Sequence, residues 1–176
     1  MTSLIDHYSS VTNRFLTLDA VDLSGLHLTI QGLGFSDEID KNAMQKVVEE
    51  TRRYCVMIEP FTIVIGPAHV DAETVQMAVH PVDSIMQLRQ ALRKGIGAVW
   101  GDGNVPESME GFRPHVTLAY SNGPGSFSDI SSALKAAGEK TAHILMSSVS
   151  LIELNRDRKR YEWREIARLP LGQGEA

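Results

Sequence analysis

Two four-residue segments of the chain carry the same chemistry: His27-Leu28-Thr29-Ile30 and His115-Val116-Thr117-Leu118. In each, a histidine and a threonine alternate with apolar residues. Such alternation predicts a half-buried β-strand, with residues i and i+2 on one face. His27 and Thr29 then point the same way, as do His115 and Thr117, while Leu28, Ile30, Val116 and Leu118 anchor the strands in a core. Imidazole titrates in the physiological range, so one histidine can take a proton while the other gives one. A threonine hydroxyl can hydrogen-bond a phosphoryl oxygen. Two such pairs suit proton transfer around a phosphate, which makes His27, Thr29, His115 and Thr117 the candidate catalytic residues.

The elements that must position these pairs also repeat. His27 is followed by a helical stretch, an apolar strand at Phe61–Ile65 and a second strand ending at Val79-His80-Pro81. His115 is followed by a helical stretch, Val149–Leu154, and a strand ending at Arg168-Leu169-Pro170. His27 to Pro81 spans 54 positions and His115 to Pro170 spans 55, while Ile63 and Leu151 each lie 36 positions after their histidine. Order and spacing together indicate an internal duplication of a strand-helix-strand-strand unit.

Around this frame, Leu4, Tyr8, Val11, Phe15 and Leu18 recur at helical steps and predict an N-terminal bracing helix from Ser3 to Leu18. The first motif strand is expected over Leu26–Leu33. Ser36 or Asp37 is expected to cap a helix with Ile39, Ala43, Val47 and Thr51 on one face. Strands near Phe61–Ile65 and Thr74–Val79 are joined by Gly66-Pro67 and a polar turn, and Asp83 opens a helix that ends at Gly95. The glycine-rich stretch from Gly95 to Phe112 is a loop, either a lid or a connector, whose Trp100 and Phe112 either stack on a base or bury against the body. Asn122-Gly123-Pro124-Gly125 is a turn, and Ser126 or Ser128 caps a short helix through Leu134. The last strands are expected at His143–Leu154 and Tyr161–Leu169, split by the charged hairpin Arg156–Arg160, a solvated turn.

From about Gly25 to Leu171 the chain resembles the two-histidine (2H) phosphoesterase superfamily, close to the 2',5' RNA ligase-like and cyclic phosphodiesterase proteins. The motifs His27-x-Thr29 and His115-x-Thr117, the step Arg113-Pro114 before the second, and the closing Tyr161-x-Trp163 carry the resemblance. Ala119-Tyr120-Ser121 departs from it, since many relatives carry a basic residue there. The resemblance implies an α+β fold of two pseudo-symmetric lobes, each an antiparallel sheet with outer helices, facing across a central cleft with one histidine-threonine pair from each.

At 176 residues the chain is expected to be a single domain, with 1–20 a helical extension, 25–81 a first repeat lobe and 113–171 a second. A formal charge of −5 argues against a long basic track for nucleic acid. Cys55 is the only cysteine, and with no signal peptide and no run of about 18 apolar residues the cytoplasm is expected and a membrane is not. No metal-ligand spacing and no glycine-rich phosphate loop occur, so neither a metal nor a cofactor is expected. No obligate protein partner is evident.

With the resemblance, these residues imply metal-independent hydrolysis of a 2',3'-cyclic phosphate on a nucleotide or short RNA end. One histidine removes a proton from water, the other protonates the departing ribose oxygen, and Thr29 and Thr117 hold non-bridging oxygens. Gln31, on the face of His27 and Thr29, and Tyr120, just after the second motif, are candidate substrate contacts. His7, His69, His80 and His143 lack a threonine at +2 and are expected at the surface or in structural roles. Two other readings stay open: cleavage or joining of 2',5' linkages at the same site, and a nucleotide- or RNA-end-binding module with little turnover.

Overall fold

Leu4, Ile5, Tyr8 and Val11 lie along one face of Thr2–Thr12 and are all buried, which makes this stretch the first helix, α1. The computed structural model describes residues 1–155 and 162–173. Helix α1 stops well before Leu18: the Asn13 and Arg14 N–H groups close onto the Ser9 and Val11 carbonyls, and Leu18–Ala20 leaves to pair with the sheet as β1. Helix α2, Lys41–Cys55, is capped by Asp40, whose carboxylate accepts from the Ala43 N–H at 2.9 Å. Ser36 and Asp37 do not cap it, because Glu38 N–H bonds back to Phe35 and closes a separate turn before the helix.

Strands β2, Phe61–Asp71, and β3, Thr74–His80, form a hairpin that turns at Ala72-Glu73. Gly66-Pro67 is therefore inside β2 and is not the connection expected from sequence. It sits where the register slips between Ile65 and Ala68, at a bulge that accommodates a residue lacking an N–H. Helix α3, Val82–Trp100, runs straight through Gly95. A Cβ at Gly95 would run into the Thr51 backbone of α2, so this glycine permits close helix packing and does not end the helix.

The second half supplies β4, His115–Ser121, and α4, Phe127–Ala137, capped by Ser126 through the Asp129 N–H at 3.3 Å. The single strand expected over His143–Leu154 is broken at Ser147, whose carbonyl takes the Leu171 N–H. Its first part, β5 (Ala142–Met146), pairs with β2, and its second, β6 (Ser148–Asn155), pairs with β7 (Glu162–Pro170). The charged hairpin Arg156–Arg160 and Tyr161 lie outside the described residues.

The fold is α+β with two lobes. One is a five-stranded antiparallel sheet in the order β1-β4-β3-β2-β5, and the other is built on the β6-β7 pair. Ile63, Ile65, Val75, Met77, Val79, Val116 and Leu118 line one face of the large sheet and pack with Leu4, Tyr8 and Val11 of α1 and Ile130 and Leu134 of α4. A second core joins Ile30, Cys55 of α2, Leu88 and Leu92 of α3, and Leu169 and Leu171 at the end of β7. Strands of both sequence repeats share the large sheet, since apolar alternation in β3 matches that in β4. Each lobe is thus assembled from both repeats, and 25–81 and 113–171 interleave. Among the described residues no helix is long and apolar enough to cross a membrane.

Cys55 is fully buried at the end of α2, and burial pushes its thiol up to about 11, against the smaller opposing pull of Arg52. At pH 8 only roughly one thiol in a thousand is then a thiolate, the nucleophilic form. An Ellman-type reagent is expected to label the native protein very slowly and the unfolded protein at once. Rapid labelling of native protein would show that the second core opens.

Candidate active site

The second motif is the start of β4. Antiparallel pairing sets Ala78 opposite His115, Met77 opposite Val116 and Gln76 opposite Thr117. Val116, Leu118 and Met77 are buried in the core, so His115 and Thr117 occupy the opposite, open face of the sheet.

The first motif does not form the strand expected over Leu26–Leu33. It is an extended segment with one isolated antiparallel bridge, Leu28 to Val116. Side chains intercept its next backbone acceptor: Ile30 O receives the Arg89 guanidinium. The single bridge nevertheless determines the local geometry. With Leu28 opposite Val116, His27 falls opposite Thr117 and Thr29 opposite His115, all four on the open face. Directly opposed residues approach to about 5 Å at Cβ and diagonal ones to about 7–8 Å. In that register the two histidines are a diagonal pair on one face.

The two imidazoles are held alike. His27 Nδ1–H donates to Gly25 O at 2.7 Å, and His115 Nδ1–H donates to Arg113 O at 2.8 Å, each the carbonyl two residues earlier. A carbonyl only accepts, so each neutral ring carries its proton on Nδ1 and its lone pair on Nε2. Protonation adds a donor at Nε2 without disturbing the Nδ1 bond. In both rings the Nδ1 bond leaves Nε2 as the nitrogen whose protonation can change.

Tyr120 reaches this face by an irregularity. Tyr120 pairs with Thr74 and Ala119 with Val75, but Thr117 pairs with Gln76, so Leu118 is an extra residue. Simple alternation from Thr117 would send Tyr120 into the core; the bulge returns it to the histidine side. Gln31 goes elsewhere. Its amide donates to Pro106 O at 2.8 Å and to Gly32 O at 2.8 Å, and its Oε1 accepts from Arg93 at 3.0 Å, so it fastens residues 105–108 to the first motif. Those bonds engage the groups a substrate would need. Phe112 lies with its ring 4.3 Å under the Arg89 guanidinium, and Trp100 lines a groove of about 310 Å³ with Leu33, Phe35, Ile39 and Pro106, which none of the four motif residues lines.

Sequence reasoning missed Gln76 and the placement of His69. Gln76 is 6% exposed, faces Thr117, donates to Asp71 Oδ2 at 2.8 Å and lies 3.4 Å from His69 Nε2. His69 is paired with it on β2, which completes a polar row His27, Thr117, Gln76, His69 across the open face. The alternation Thr74, Gln76, Ala78, His80 against Val75, Met77, Val79 was the available signal. His80 and His143 both pair with Val64 on that face and are exposed, and His7 Nε2 bonds Gly138 O at 3.2 Å. Among the described residues no three His, Cys, Asp or Glu side chains converge as a metal-binding set.

Two lobes with one histidine-x-threonine segment abutting the other match the arrangement that the sequence resemblance implied. A model of the 2'-5' RNA ligase superfamily matches residues 5–158, and the chain belongs to that superfamily. Among solved structures, TT0787 of Thermus thermophilus superposes with a TM-score of 0.77 at 16% identity, covering 99% of this chain and 92% of that one. LigT of E. coli in complex with 3'-AMP gives 0.69 at 16% identity, with coverage of 98% and 94%. A further phosphoesterase gives 0.70 at 16% identity, with 98% and 94%. No curated protein matches the chain in sequence.

Proposed function

We propose that the protein hydrolyses 2',3'-cyclic phosphates of nucleotides or short RNA ends, without a metal, by general acid-base catalysis between His27 and His115. The observation that supports this is the Leu28 to Val116 bridge, from whose antiparallel register we infer that both histidine-threonine pairs share one face. A phosphodiester must be approached from the nucleophile side and the leaving-group side together. Nε2 of one histidine takes a proton from water as its oxygen attacks phosphorus. Nε2–H of the other gives its proton to the ribose oxygen as that P–O bond breaks. Thr29 and Thr117 hold the non-bridging oxygens, and Tyr120 contacts the nucleoside. The complex of E. coli LigT with 3'-AMP supports a nucleotide as the ligand class. The superfamily's description favours a second substrate for the same site, a linear 2',5' linkage.

The test is turnover of the four 2',3'-cyclic nucleotides and of a 2',5'-linked dinucleotide, with EDTA present throughout. Turnover of the cyclic substrates is expected, with a bell-shaped dependence of kcat/KM on pH between about 5 and 9. The rate falls on the acid side as the base becomes protonated, and on the alkaline side as the acid loses its proton. The two limbs belong to the pair and not to one residue each. A rate that rises without a plateau to high pH, or that requires a divalent ion, would remove the roles given to His27 and His115.

A further inference from the structure

The first motif joins the large sheet through a single bridge among the described residues, yet its histidine and threonine must hold a fixed distance from those of β4. A side chain of α3 supplies much of what the missing ladder does not. Arg89 is 2% exposed, and its guanidinium reaches three ways. Nη1 donates to Ile30 O, one residue beyond Thr29. Nη2 donates to Ser108 O at 2.9 Å and to Glu107 Oε2 at 3.1 Å. Its plane covers the Phe112 ring at 4.3 Å, three residues before His115. One turn later, Arg93 donates to Gln31 Oε1 at 3.0 Å and to the Pro106 and Glu107 carbonyls at 2.7 Å each.

We propose that Arg89 is a positioning residue: it sets the His27-Thr29 segment at its working distance from His115-Thr117 by clamping Ile30 against residues 107–112. The proposal rests on the two-histidine reading of the site. Stability alone is a poor account of the arrangement. A buried cation whose Nε has no partner and whose counter-ion Glu107 is half exposed is costly compared with an apolar side chain. What the site needs is donors fanned in one plane toward two chain segments, with a flat face for a ring, and only arginine provides them.

The test compares wild type with R89K, R89M and E107Q, the last acting on the partner of Arg89 and leaving the buried cation in place. Two readouts are taken on protein shown to be folded by its thermal transition. One is kcat and KM on a 2',3'-cyclic nucleotide. The other is the imidazole NMR signals of His27 and His115 during titration with inorganic phosphate. In wild type both signals are expected to move together. In R89M and R89K, kcat is expected to fall on the order of 10²-fold with KM little changed, as for a group displaced by about 1 Å, and His27 is expected to lose its response while His115 keeps it. E107Q is expected to show a smaller kcat loss of the same kind. Wild-type kcat and paired phosphate shifts in folded R89K would overturn the proposal. If the Arg89 variants do not fold, wild-type values for E107Q would overturn it. A wild-type protein without turnover, in which phosphate moves neither histidine, would overturn the site reading itself.

Discussion

Alanine at His27 or at His115 is expected to lower kcat/KM by about 10²–10⁴-fold, the usual contribution of one acid-base group. The double variant is expected to lose little more than the worse single one. Both proton transfers belong to one displacement: water cannot attack effectively while the leaving oxygen lacks its proton, and protonating that oxygen achieves little without an activated nucleophile. Groups that act as a unit give strongly non-additive losses. The two positions should behave alike because they are built alike, with Nδ1 tied to Gly25 O and Arg113 O, each the carbonyl two residues earlier. The check is a four-member cycle on one cyclic nucleotide, with thermal midpoints showing that both imidazoles can be removed from a partly exposed face without unfolding. Near-wild-type turnover in H27A would end the two-histidine mechanism here.

Removal of either threonine hydroxyl is expected to cost about 10–10³-fold, mostly in kcat, as for the loss of one donor to a developing oxyanion. The register of the Leu28 to Val116 bridge sets Thr29 opposite His115 and Thr117 opposite His27. A phosphoryl oxygen gains charge as the pentacoordinate state forms, and a donor already aimed at it favours that state over the ground state. Thr29→Val and Thr117→Val keep the shape and should show the full loss, while T29S and T117S keep the hydroxyl and should recover most of it. Equal activity in the Val and Ser variants would leave the threonines with a packing role only.

The chemistry of the site is legible from sequence because it is local. A histidine and a threonine two apart in a strand share a face whatever the strand pairs with, as His115 and Thr117 do in β4. Ser126 as a helix cap, the apolar face of α1 and the alternation of β3 are likewise properties of residues within one turn or one pleat. The features that sequence misreads depend on partners distant in the chain. Gly95 reads as a helix end because nothing near it reveals Thr51 of α2 pressing on it. The break at Ser147 follows from two different sheets competing for one stretch of chain, with β2 taking 142–146 and β7 taking 148–155.

The side of the sheet on which Tyr120 emerges lies beyond the sequence for the same reason. Strict alternation assigns it to the core, and only the one-residue slip against β3 turns it toward the histidines. Gln31, which alternation places near His27, is claimed instead by Arg93 from 62 positions away. By itself the sequence determined which residues of each motif share a face, since that is fixed by the period of an extended chain. The tertiary structure alone decided that the two motif segments abut, through the bridge of Leu28 to Val116. The antiparallel contact of Leu28 with Val116 and the buried guanidinium of Arg89 join segments far apart in the chain, and such contacts form only when the cores on either side of them close.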